Sequence, residues 1–315
     1  MSPDELHIAT LDFAIRLGFV AYGAVPVEKL TADRARLESF VSRAYHGSMK
    51  YLAENIDLRE DPSLLLEGAK SIMVLLIPYK PPHSQQGQYP KISSYAYGLD
   101  YHYFLKKRLR SLADKIKEIN PQMRYRVFTD SAPIFERSLA VKAGLGFIGK
   151  NTFLISKIHG LHTLIGIIIT DIALEYSQET VSNGCGSCRR CIDACPNGAL
   201  TAPFELDARR CISYNTIESP LGESLNFPPV LREDNIFGCE ICLQACPWSR
   251  KGEPTSWKEF MPLISHLAGS SVEISAQEWL AMEEEEFKNR FSKSPLSRAG
   301  LLKIKESVTA INLKK

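Results

Sequence analysis

Apolar residues recur along the first half of the chain with two different periods, and the switches between them predict its elements. Leu6, Ala9, Phe13 and Leu17 fall at helical spacing, so residues 5–17 are expected to form an amphipathic helix. Leu30 to Tyr51 reads as a second, polar-faced helix. Ser71 to Pro78 (S-I-M-V-L-L-I-P) is an apolar run of strand length closed by proline, which predicts a buried strand. A Pro/Gln/Ser loop follows over residues 81–87. Tyr101 to Ile119 predicts a helix with a basic face of Lys106, Lys107, Arg108, Arg110, Lys115 and Lys117. Tyr125–Thr129 and His162–Thr170 read as strands, and Pro133–Ala143 as a helix with proline in its first turn. From Gly184 to about Arg250 short helices and loops replace these longer elements. After Lys251 the pattern is helical again, with an acidic run from Glu283 to Glu286. The expected fold class is α+β, divided into an α/β part over 1–178, a cysteine-rich part over 179–255 and a helical segment over 256–315.

Composition changes this picture little. The chain has 315 residues, 44% hydrophobic and 23% charged, as in an ordinary globular protein. No apolar run approaches membrane-spanning length, the longest candidate being Leu164 to Thr170. The opening Met1-Ser-Pro-Asp-Glu-Leu6 is acidic and carries no signal-peptide pattern. A monomer in a reducing cytoplasm, away from membranes, is therefore expected. The formal charge of +2 counts every cysteine as neutral. A four-iron cluster with four thiolates carries about −2, so the assembled protein would be near neutral. Nucleic-acid binding would then have to come from local patches.

The cysteines carry the chemistry. Cys185, Cys188, Cys191 and Cys195 stand as C-x2-C-x2-C-x3-C with Pro196 next, the signature of a bacterial-type iron–sulfur cluster. Cys239, Cys242 and Cys246-Pro247 repeat the second half of that run, with Ile236 where a first cysteine would fall. Cys211 is the one cysteine left to replace it. In two-cluster ferredoxins the cysteine before the proline ligates the other cluster. Cluster one would thus take Cys185, Cys188, Cys191 and Cys246, and cluster two Cys195, Cys211, Cys239 and Cys242. Zinc knuckles do not need the x3-C-P extension, and disulfides need an oxidising compartment. The cysteine-rich part reads as a bacterial ferredoxin-like domain with two 4Fe-4S clusters. Gly144, Gly146 and Gly149 have G-x-G-x-x-G spacing but follow a helix rather than a strand, so a structural turn or close approach is expected there, not a dinucleotide loop.

Several segments resemble the epoxyqueuosine reductase family, cobalamin-dependent iron–sulfur enzymes of tRNA queuosine synthesis. They are Tyr97-Gly-Leu-Asp-Tyr-His102, Asp130-Ser-Ala-Pro-Ile-Phe-Glu136, Ala143-Gly-Leu-Gly-Phe-Ile-Gly-Lys-Asn151, Arg209-Arg-Cys-Ile-Ser-Tyr214 and Gly238-Cys to Cys246-Pro-Trp248. Arg59-x-Asp61-Pro62 and Ser294-Pro-Leu-Ser-Arg-Ala-Gly300 add to the likeness, which covers nearly the whole chain in order. Many members continue into helical repeats that help hold tRNA, so this chain resembles a short form. Asn215 stands where an apolar residue is expected.

The resemblance implies an N-terminal cobalamin-binding reductase domain ahead of the clusters. It implies reduction of an epoxide on a modified cyclopentane ring to an alkene with loss of water. Two 4Fe-4S clusters would relay electrons to cobalamin, itself a strong reductant. Asp130 matches the family's catalytic aspartate, and a carboxyl kept protonated by burial would supply the proton. The alternative reading of Asp130 is a cap on the following helix. Asp100, Tyr101 and His102 are candidates for positioning substrate or relaying protons, or else form a helix N-terminus capped by Asp100. Leu105 stands where a D-x-H-x-x-G cobalamin signature needs glycine, so His102 is not expected to ligate cobalt. Arg59, Lys150 and Asn151 are the expected cobalamin contacts. The expected partners are a tRNA anticodon stem-loop carrying epoxyqueuosine and a low-potential electron donor. Lys106 to Lys117, Arg124 with Arg126, and Arg189-Arg190 are candidate phosphate contacts; Tyr101, Tyr103 and Trp248 are candidate stacking residues. The competing readings are a dehalogenase-like corrinoid reductase and a ferredoxin-type carrier. The long stretch before Cys185 is far more than a bare carrier needs.

Overall fold

A computed structural model describes residues 3–85, 87–223, 233–265 and 269–312. Met1, Ser2 and Gln86, and so parts of the expectations for the N-terminus and the 81–87 loop, lie outside them. The helices are α1 (Pro3–Arg16), α2 (Thr31–Ser42), α3 (Ile56–Glu60), α4 (Tyr101–Ile119), α5 (Glu136–Lys142), α6 (Arg190–Asp193), α7 (Ile212–Ile217), α8 (Ile241–Gln244), α9 (Ala276–Ala281), α10 (Glu284–Phe291) and α11 (Leu296–Asn312). The strands are β1 (Ala21–Pro26), β2 (Ser71–Pro78), β3 (Lys91–Ile92), β4 (Tyr125–Phe128), β5 (Phe147–Ile148), β6 (Leu154–Ile155), β7 (Thr163–Thr170), β8 (Asn235–Phe237), β9 (Ile264–Ser265) and β10 (Gly269–Ser270).

Four strands form an antiparallel sheet in the order β1-β2-β7-β4. β2 is apolar almost without break because both its faces are covered. Met73, Leu75 and Ile77 join a core with Leu105, Leu109 and Leu112 of α4. The alternate residues Ile72, Val74 and Leu76 join another with Leu139 and Ala140 of α5. Gly166 of β7 faces Leu109, where an added Cβ would come within 2.7 Å of the leucine side chain. The missing side chain lets α4 lie close on the sheet. Leu109 is fully buried in that contact, so Leu109→Ala is expected to cost about 2–5 kcal/mol in denaturant titration. A loss under about 0.5 kcal/mol, the range of an exposed position, would show that α4 is not packed this way.

The C-terminal segment folds back onto both halves. Trp257 and Phe260 are buried in the α1–α4 core, and Trp257 Nε1 donates to Gly18 O at 2.9 Å. Arg108 stacks over the Trp257 ring at 3.9 Å and pairs with Glu259 at 2.7 Å. Helices α9–α11 pack their aromatic and aliphatic residues around Ile236 and Phe237 of β8. Parallel pairing of β3 with β8 places the approach to α4 beside the second cysteine run. Among the described residues no helix is long and apolar enough to cross a membrane.

Two helices are shorter than their patterns predict. The one expected over 30–51 stops at Ser42, because Ala44 (φ 54°) and Gly47 (φ 59°) turn left-handed. The one expected from Pro133 starts only at Glu136, so the segment after β4 stays free of helix and can hold Asp130 in another pose.

Candidate active site and cluster cavities

The site grows from the N-terminus of α4. Asp100 caps this helix by accepting from His102 N at 3.0 Å, and its Oδ1 also lies 2.7 Å from His102 Nδ1. The cap thereby orients the imidazole, which stacks on Tyr101 with ring centres 4.2 Å apart. Tyr101 Oη donates to Asp130 Oδ2 at 2.6 Å, and His102 Nε2 lies 3.2 Å from the same oxygen. Asp130 follows β4 in a left-handed conformation (φ 56°) that aspartate tolerates better than most residues. Its N–H donates to Glu136 Oε1 at 2.6 Å, which holds the bend. Asp130 does not cap α5, whose N-cap is Phe135. The cap reading of Asp100 holds together with its orienting role.

The proton is not where the sequence placed it. Burial raises the Asp130 pKa, but hydrogen bonds from His102 and Tyr101 outweigh that and hold it at about 2. The side chain is 55% exposed to the cavity, which weakens the effect of burial and favours the ionised form further. His102 is pulled down by burial and raised more strongly by the two carboxylates around it, to about 9. At neutral pH the dyad is therefore Asp130 carboxylate with His102 imidazolium. Glu136 is pushed up to about 8 by burial and then by the Asp130 charge.

A cavity of about 390 Å³ opens beside this network. Asp100, Tyr101, His102 and Asp130 line it together with Cys195, Cys211, Cys239 and Cys242. Between these walls lie apolar residues, among them Met49, Leu200, Ile212 and Phe237. A second cavity of about 270 Å³ is lined by Cys185, Cys188, Cys191 and Cys246. The two groups of four are those the spacing rule assigns to cluster two and cluster one. Each group surrounds a volume. Among the described residues no three His, Cys, Asp or Glu side chains lie close enough to hold a single ion. Four sulfurs around a cavity suit an iron–sulfur cube. Burial pushes Cys239 up to about 12 and Cys242 and Cys211 upward as well, so binding of iron must displace their protons.

Several expected contacts fall elsewhere. Lys150 turns to the second cavity, its Nζ donating to Gly186 O at 2.6 Å and Cys188 O at 2.9 Å and its N–H to Cys185 Sγ at 3.4 Å. A loop carbonyl is a fixed partner for an ammonium, so this lysine serves the cysteine loop. Asn151 is buried and lines both cavities. Arg59 lines neither; its Nη2 donates to Tyr51 O at 3.4 Å. Trp248 packs on Phe147 at the rim of cluster one, away from Asp130. Arg124 is paired with Asp171 at 2.8 Å and Arg126 donates to Leu65 O, whereas Lys106 reaches Ser131 Oγ at 3.0 Å beside the Asp130 loop. Gly144 is left-handed (φ 75°), and an added Cβ at Gly146 would strike the Ile155 backbone, as a structural turn requires.

Three residues escaped the sequence reading as site members. Glu136 pins the Asp130 backbone. Arg298 of α11 lines the larger cavity and pairs with Glu218 at 2.8 Å. The unexpected Asn215 is buried and donates to Arg209 O and Cys211 O, both at 2.9 Å, fixing the turn that carries Cys211. A buried polar side chain on a short helix next to a lone cysteine was the available signal.

Residues 184–249 match the family described as "4Fe-4S double cluster binding domain", and residues 59–131 match "Epoxyqueuosine reductase QueG, DUF1730". An epoxyqueuosine reductase of Leadbetterella byssophila is 38% identical over 299 residues, covering 95% of this chain and 96% of that protein. The chain belongs to the epoxyqueuosine reductase family. It is an oxidoreductase of queuosine biosynthesis with 4Fe-4S clusters. This membership, spanning nearly the whole chain, displaces the dehalogenase-like and bare-carrier readings. A crystal structure of an epoxyqueuosine reductase with an epoxyqueuosine-modified tRNA-Tyr stem loop superposes with TM-score 0.84 at 26% identity, covering 98% of this chain and 81% of that one. A Bacillus subtilis epoxyqueuosine reductase, described with its catalytic aspartate loop swung out of the active site, superposes with TM-score 0.83 at 25% identity, covering 98% and 82%.

Proposed function

We propose that the larger cavity reduces epoxyqueuosine in a tRNA stem-loop, with cobalamin between the four cysteines of cluster two and the Asp130–His102–Tyr101 network. One observation carries this reading: a proton-holding network and a complete cluster ligand set face one apolar-walled cavity. The apolar walls suit the flat macrocycle, and Asn151 and Arg298 are among the polar lining residues that would hold its edge. Bound there, cobalamin would supply a strongly reducing metal centre next to the substrate. The chain's own residues govern the protons. Overall the epoxide gains two electrons and two protons, its carbon–oxygen bonds break, and an alkene and water leave.

Opening an epoxide leaves an alkoxide that departs only after protonation. His102 holds the proton at neutral pH and Asp130 is 3.2 Å away. Filling the cavity removes water from Asp130 and raises its proton affinity, which draws the proton across that bond and onto the substrate oxygen. Tyr101 keeps Oδ2 in place throughout. Lys106, beside Ser131, is placed to meet a stem-loop phosphate at the mouth of the cavity.

Anaerobic assay of cluster-reconstituted protein with cobalamin, a strong reductant and epoxyqueuosine-containing tRNA tests the reading by nucleoside mass analysis. Queuosine should accumulate; no product together with no bound cobalamin would overturn it. The pH profile tests the proton inventory. A histidine raised to about 9 keeps its proton through neutrality and loses it as pH rises through that value. The single-turnover rate should fall on this alkaline limb, and His102→Gln should remove the limb. An unchanged limb in the variant would take His102 out of the relay.

A further inference from the structure

We propose that the face around cluster one is the docking site for a small acidic protein that delivers single electrons. The inference rests on the functional reading above in one respect, the direction of electron flow. Cluster two shares its cavity with Asp130, whereas cluster one lines only its own. Electrons bound for the substrate therefore enter at cluster one.

The surface there is built like an electron-transfer contact, with apolar points among like charges. Cys185 and Cys188 are only partly buried, and Gly186 between them faces open space. Ile158, on the 156–160 turn, is 74% exposed. Lys157 Nζ reaches Ser182 Oγ at 3.0 Å and so ties this turn to the segment entering Cys185. A Cβ at Gly160 would stand 2.5 Å from Trp248 O and 3.0 Å from Lys251 O, which puts the turn flat on the segment leaving Cys246. Lys157, Arg189, Arg190, Arg250 and Lys251 are all exposed around these loops. Arg189 lies 3.4 Å from Asp193; among the described residues the other four form no ion pair. Asp193, Glu179 and Glu253 are the exposed carboxylates closest to these loops along the chain, three against the five cations. Unpaired cations around an apolar point favour a negatively charged partner and speed its encounter. Arg189 and Arg190 thus lie by the cluster one loop, away from the Asp130 cavity, which favours a protein carrier over the RNA backbone as their partner.

The test is anaerobic stopped-flow reduction of the cluster-loaded enzyme, followed by loss of cluster absorbance. Reductants are a photoreduced acidic flavodoxin and, separately, the methyl viologen radical cation. The variant is Lys157→Glu/Arg250→Glu/Lys251→Glu, whose positions are not cluster ligands. For wild type, the flavodoxin rate constant should fall as salt rises; in the variant it should fall at least about tenfold. Iron content should stay as in wild type, and the rate with the cationic viologen should not fall. An unchanged flavodoxin rate, or an equal loss with both reductants, would overturn the proposal. Weaker stem-loop affinity in the variant with an unaltered flavodoxin rate would overturn it too, and would assign the face to RNA. No tRNA is present during cluster reduction, so failure of epoxyqueuosine turnover leaves this result untouched.

Discussion

Asp130→Asn is expected to abolish epoxide reduction while both clusters and bound cobalamin remain. The amide keeps the size of the carboxylate and can still accept from Tyr101 Oη, now at 2.6 Å from Oδ2. Asparagine also tolerates the left-handed backbone (φ 56°) that position 130 requires. The variant loses the ability to take a proton from His102 and pass it on, together with one of the two negative charges that raise the imidazole. General acid catalysis contributes about 10²–10⁴ in rate, and among the described residues the other carboxylate on His102, that of Asp100, is taken up by the cap and Nδ1. Single-turnover queuosine formation, with iron content and the cobalamin spectrum measured on the same sample, checks this. Turnover within about threefold of wild type would refute the role, being far below the general-acid range.

Cys211→Ala is expected to halve the iron content and stop turnover. Cys211 reaches its cavity from outside either cysteine run, on a turn fixed by Asn215. Its loss leaves cluster two with three thiolates, and cluster one, with a separate ligand set, intact. Cys246→Ala should do the opposite and remove cluster one, although Cys246 is near the cluster two ligands Cys239 and Cys242 in sequence. Iron analysis with electron paramagnetic resonance of the reduced proteins distinguishes the two. A full iron complement in the Cys211 variant would break the assignment.

Local features of the molecule were legible in its sequence to different depths. β2 and α4 have the bounds their patterns predict, because a run of apolar residues or a capped amphipathic stretch is decided within the segment itself. The helix expected from Pro133 forms only from Glu136, for a reason no local pattern carries. Asp130 is held by Glu136, Tyr101 and His102 in a left-handed bend rather than in a helical turn. Lys150 shows the same limit: its motif placed it near a cofactor, and packing chose the cluster one loop. The protonated Asp130 expected from burial also failed, since burial is opposed by an imidazolium that sequence proximity to Asp100 alone did not reveal.

The sequence alone offered the grouping of eight cysteines into two sets of four, through the cysteine–proline rule of two-cluster ferredoxins, and the structure gathers the same sets around two cavities. Local patterns in the sequence also predict three of the four sheet strands and the basic helix, but not β1, whose run is short and broken by Gly23. Only the tertiary structure decided that one cluster shares a cavity with Asp130 and the other opens on a basic face. That arrangement depends on packing between segments some hundred residues apart, such as the pairing of β3 with β8. The same packing brings His102 between two carboxylates and so decides where the proton waits.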